Sequence, residues 1–108
     1  VTKSTRYFES FNAFKSAMGS AGEGMQWHHI VEQSQVGRFG THAIQNADNI
    51  VAVSNATHLR LNSLYSSIRK SITGSETLTV RQWLETKSYD EALEFGKKAI
   101  ENTTSGVW

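Results

Sequence analysis

A chain of 108 residues with 38% apolar side chains can bury one modest core and not two, so a single domain must carry its own site. A formal net charge of +1 gives no global basic field, which leaves any phosphate binding to local placement of Lys and Arg, and the absence of cysteine excludes a disulfide framework or a thiolate zinc knot. No apolar run approaches membrane-spanning length, no signal-peptide pattern opens the chain, and a start at Val1 rather than Met hints at a piece of something larger.

In chain order, Phe8, Phe11, Phe14 and Met18 recur at helical spacing before Gly19, which predicts an amphipathic helix over about 9–18 with the phenylalanines as core. Residues 19–24 are a breaker-rich connector, and Met25 to Ile30 is the first strand, with Trp27 packing beside the paired histidines His28 and His29. From Val31 to Ala47 there is no clean periodicity, and Gly37, Gly40 and Asn46 fit an irregular loop. A loop of that length in a small domain is uncommon unless it has a function. Within it Arg38 is a candidate phosphate contact, since guanidinium suits that geometry, and His42 reads as a solvent-exposed histidine.

Ile50 to Val53 make the second strand, and Ser54 or Asn55 caps the helix that follows. On a helical wheel Leu61, Leu64, Ile68 and Ile72 form a core stripe. His58, Asn62, Tyr65 and Arg69 form the neighbouring stripe, where a histidine and an asparagine one turn apart can share a metal and the tyrosine and arginine can meet phosphate. A polar flank at the core boundary is the competing reading of that stripe. Two further helices each open on a capping box, Thr79-Val80-Arg81-Gln82 and Ser88-Tyr89-Asp90-Glu91. They read as scaffold, and Asn102 to Trp108 as a polar tail that frays unless a partner or the body of the domain captures it.

A divalent ion held by His28, His58 and Asn62 would leave positions for water and phosphate oxygens, and would stabilise charge developing on a phosphodiester. His29, neutral near pH 7 and aimed at the water, would serve as general base. Asn49 is placed to brace the loop between the strands by side-chain to backbone hydrogen bonds and so to fix the His29 ring.

The series His28-His29-Ile30-Val31, Asp48-Asn49-Ile50-Val51 and His58 resembles the ββα-metal motif of the HNH endonucleases (the His-Me finger group). The wording Trp27-His28-His29-Ile30-Val31-Glu32-Gln33 is similar to the WHH-type nuclease toxin domains at the C-termini of Rhs and related bacterial polymorphic toxins. This resemblance implies an α+β fold with a ββα core over about 25–70 and a helical scaffold over about 78–102. It makes His28 the first-strand metal ligand, His29 the base, Asn49 the central asparagine and His58 the helix ligand. Asn62 stands where colicin-type DNases have a further histidine, a departure that bears on the metal, Mg2+ or Zn2+.

The expected activity is metal-dependent hydrolysis of DNA, with Arg38, Arg60, Tyr65 and Arg69 contacting nucleic acid. A nuclease acting on RNA and a non-catalytic DNA-binding or structural-metal module are the alternatives. Delivery as part of a larger toxin into a target-cell cytoplasm is implied too. So is an acidic inhibitor (immunity) protein facing Arg38, Arg60, Arg69 or Lys70.

Overall fold

The computed structural model describes residues 6–108, and its first element is α1 (Phe11–Met18). Ser10 caps it by accepting from the Ala13 amide at 3.0 Å, and Gly19 ends it at φ +79°, a conformation that favours glycine. Phe14 is buried and meets the Phe8 and Trp27 rings edge-on at 5.3 and 5.0 Å. Met18, expected on the core stripe, is exposed at the end of the helix, and of the three phenylalanines Phe14 alone is buried, Phe8 and Phe11 being half-buried.

Two strands, β1 (Met25–His29) and β2 (Ile50–Ser54), pair antiparallel with His28 opposite Val51 and His29 opposite Ile50. The segment between them is not the featureless loop expected from its lack of periodicity. It winds through a 3-10 turn at Gln33–Gln35, α2 (Val36–Phe39), α3 (Thr41–Ile44) and a second 3-10 turn at Ala47–Asn49. Elements of three or four residues complete about one turn each, too short to print a 3.6-residue repeat. Gly40, at φ +86°, makes the corner between α2 and α3. Ile44 is fully enclosed, and Tyr7 forms a bridge with Asn46 that ties the start of the described chain to this segment.

β2 runs without a linker into α4 (Asn55–Tyr65), and the chain divides into two compact units between Asn55 and Ala56. In the second unit Leu61 and Leu64 are buried as their stripe requires, but α4 stops at Tyr65, short of the expected Ile68 and Ile72. Ser66 and Ser67 end it: the Ser67 hydroxyl donates to the Leu64 carbonyl at 2.7 Å, offering the backbone a partner other than the next helical turn. Ile68 is then 51% exposed and bridges to Thr79.

After α5 (Lys70–Thr73), both capping boxes form as read from the sequence, opening α6 (Val80–Leu84) and α7 (Tyr89–Ser105). The polar tail is captured by the body, as the last turn of α7 and its cap. Gly106 turns left-handed at φ +83°, and the Val107 and Trp108 amides both donate to the Asn102 carbonyl, at 2.8 and 3.1 Å. Trp108 is thereby laid on Phe95, ring centroids 5.5 Å apart and planes 26° from parallel. The architecture is α+β, and no helix among the described residues is long and apolar enough to cross a membrane.

Candidate functional site

His28 and His29, at the end of β1, are both buried, and so are Gln45 and Asn49 from the segment that returns to β2. Uncharged amides line this interior because burying them costs far less than burying charges, provided each finds a partner. Asn49, with no exposed surface, finds three. Its Oδ1 accepts from the Val31 amide at 2.7 Å, and its Nδ2 donates to the Val31 and Ile44 carbonyls at 3.0 and 2.9 Å. One side chain thus holds both ends of the winding segment, just past β1 and just before the second 3-10 turn.

The His29 ring is fixed not by Asn49 but by Gln45, whose Oε1 lies 2.8 Å from His29 Nε2. Gln45 Nε2 in turn donates to Gln33 Oε1 at 2.9 Å, which leaves the Gln45 oxygen as acceptor. That chain assigns the His29 proton to Nε2 and the lone pair to Nδ1. The Phe11 ring stands edge-on to the imidazole at 4.7 Å, limiting its rotation from α1. Burial pushes the His29 pKa below its ordinary value of 6.5, and the Gln45 hydrogen bond opposes that shift without cancelling it. The imidazole is therefore neutral at pH 7, the form that can accept a proton.

Gln45 and Gln33 are functional candidates that the sequence reading missed. Their signal was a run of uncharged amides, Gln33, Gln35, Gln45, Asn46 and Asn49, in a segment lacking apolar periodicity. Arg38 is exposed, donates to Gln35 Oε1 at 2.7 Å and lies over the Phe39 ring at 4.5 Å, so it is held at the surface of this unit where an anion can reach it. His42 is exposed as expected, 3.0 Å from Glu9 and stacked near Tyr7.

The remaining candidates lie in the second unit. His58, half-buried, and Asn62, exposed, are one turn apart on α4 as the wheel requires. Tyr65 does not belong with them: it is 2% exposed, its hydroxyl is enclosed, and its ring packs 6.0 Å from Phe95, so it cannot meet a phosphate from solvent. Arg69 lies beyond the end of α4, at the cap of α5, so its place is set by that turn rather than by the α4 stripe. Arg60 is exposed and reaches the Thr103 carbonyl at 3.5 Å.

Among the described residues no three His, Asp or Glu side chains gather to hold an ion, so a metal here would depend on histidine, amide and water ligands. No family model, curated protein or solved structure matches the chain.

Proposed function

We propose that this chain is a metal-dependent endonuclease of the HNH type, hydrolysing phosphodiester bonds in DNA as the toxic domain of a larger bacterial toxin. The observation that carries the reading is His29: a buried, neutral imidazole at a strand end, its Nε2 committed to Gln45 and its lone pair on Nδ1. The chain order β1, β2, α4 and the bracing of the intervening segment by Asn49 support this reading.

In this mechanism His29 Nδ1 takes a proton from water, the water oxygen bonds to phosphorus, and the P–O3′ bond breaks with its electron pair leaving on O3′. The motif resemblance, and not a cluster among the described residues, is what would make His28, His58 and Asn62 the protein ligands of Mg2+ or Zn2+. The metal, when bound, would stabilise the phosphorane charge and the leaving oxygen. Arg38, Arg60 and Arg69 are assigned to the phosphates. Tyr65 is withdrawn from that set by its burial.

A structural role for the histidines is the second reading, because the closed His29–Gln45–Gln33 chain is also what a purely packing histidine would have. Plasmid DNA and total RNA, each incubated with the protein in magnesium, zinc or chelator, separate the readings. Nicking of plasmid that chelator abolishes supports the nuclease. Metal binding without cleavage of either substrate supports the structural role, and cleavage of RNA alone changes the substrate. His58→Ala should weaken metal binding in a calorimetric titration, and Asn62→Ala should weaken it less.

A toxin also needs an inhibitor in the cell that makes it, and we assign an acidic protein facing the exposed arginines. Equal growth of bacteria expressing the chain and its His29→Ala variant would argue against toxicity.

A further inference from the structure

Two adjoining clefts open in the second unit, of about 680 and 240 Å3, and Arg69 and Trp108 line both. The larger falls within the roughly 300–1,000 Å3 of small-molecule sites. Its aromatic wall is Trp83, Phe95 and Trp108: Trp83 meets Phe95 edge-on at 5.4 Å, and Phe95 stacks with the half-exposed Trp108. Its charged side chains are all cationic. Lys98 and Arg69 line the larger cleft and Arg60 the smaller, and no Asp or Glu lines either. Lys98 Nζ lies 5.9 Å from the Trp108 ring centroid. The ion pairs His42–Glu9 and Lys70–Glu76 lie outside the clefts' three cations.

Trp108 is held here by the chain's own geometry, since the left-handed turn at Gly106 and the Asn102 carbonyl fold the last residues back over Phe95. Flat apolar rings in clefts lined by cations match a ligand that alternates a π-face with a negative charge. Duplex DNA offers its phosphates but keeps its base faces stacked inside. An acidic peptide offers charge without a π-face.

We propose that this cleft binds single-stranded nucleic acid, with one base stacked in the Trp83, Phe95 and Trp108 cluster and the flanking phosphates on Arg60, Arg69 and Lys98. This deepens the nuclease reading, on which it rests for its biological sense, by naming the form of substrate held. It is measured without cleavage, so the two fail separately.

The test is fluorescence anisotropy of a labelled oligothymidylate in chelator, with an unlabelled duplex and polyglutamate as competitors. The wild type binds the oligothymidylate, duplex and polyglutamate compete poorly, and Trp108→Ala weakens binding about 5- to 150-fold, as loss of a stacking aromatic does. Trp108→Phe, which keeps a ring on Phe95, retains most of the affinity. With three phosphates neutralised, affinity falls about 20-fold between 50 and 200 mM salt, and Arg69→Gln and Lys98→Gln each lower the logarithmic salt slope by about 0.7. Lys97→Gln, on α7 but outside the cleft, leaves binding unchanged.

The proposal is overturned if duplex or polyglutamate competes as well as oligothymidylate, or if Trp108→Ala binds like wild type. Weakening by Lys97→Gln equal to that of Lys98→Gln also overturns it, because the attraction would then be diffuse charge. Should Trp108→Ala fail to fold, the Trp108→Phe and Gln variants carry the same decision.

Discussion

The two units of this chain are ordered by different chemistry. In residues 6–55 the elements are one or two turns long, and buried side-chain amides hold them: Asn49 spans Val31 and Ile44, and Gln45 joins Gln33 to His29. In residues 56–108 two helices, the short α6 and the long α7, begin on capping boxes, and Phe95 of α7 gathers an aromatic cluster in which it touches Tyr65, Trp83 and Trp108. Stability in the second unit is spread over many similar contacts. In the first, a few polar atoms of Asn49 and Gln45 join segments far apart in sequence, and those of Gln45 also set the position and protonation of the candidate base.

That contrast fails if single amides in the first unit prove as replaceable as caps in the second. The largest expected effect is from Asn49→Ala, which strips one buried amide and two carbonyls of their partner and should destabilise by roughly 3–5 kcal/mol in urea denaturation. A loss below about 1 kcal/mol would show that the segment is held by something else. Next comes Gln45→Leu. It fills similar space but leaves the His29 N–H without an acceptor, and it should cost about 1–3 kcal/mol. In the second unit Thr79→Ala and Ser88→Ala each remove one half of a capping box and should cost about 1 kcal/mol apiece. If the caps cost more than the amides, the order of the comparison is reversed.

A pH titration of stability sharpens the same point. The folded pKa of His29 lies below its ordinary 6.5, so the unfolded chain binds the proton more tightly. Its contribution is therefore fully present above about pH 6.5 and is lost as pH falls toward the folded pKa. Measured in chelator against a His29→Ala baseline, the slope should appear on the acidic side only. Gln45→Leu, which removes the one interaction raising that pKa, should carry the loss to lower pH. A slope above neutrality would mean that His29 is not the buried neutral group described.

Legibility from sequence followed the same division. The glycine stop of α1 and both capping boxes were readable because each depends on neighbours within a few residues, and the two strands because each is a short run of strand-forming side chains, although they pair across more than twenty residues. The end of α4 was not. Leu61, Leu64, Ile68 and Ile72 keep helical spacing, and the break at Ser66 and Ser67 comes from a hydroxyl competing for a carbonyl rather than from a change in apolar period. Tyr65 was misread for the same reason, since its burial depends on Phe95, thirty residues on. In the first unit the paired histidines and Asn49 announced themselves, whereas Gln45 did not, its partners being 12 and 16 residues away. The tail was left open between fraying and capture, because a single aromatic has no periodicity to reveal that Gly106 turns it back onto Phe95.

The central claim is that His29 is a general base whose protonation is set by the amide chain behind it. Plasmid nicking by wild type and His29→Ala, in magnesium and in zinc, at a temperature where circular dichroism finds both folded, tests it most directly. The expected result is metal-dependent cleavage by the wild type and a loss of about 100- to 10,000-fold in the variant. A folded His29→Ala protein that nicks DNA within a few-fold of the wild-type rate, or a wild type that nicks none with either metal, would contradict it.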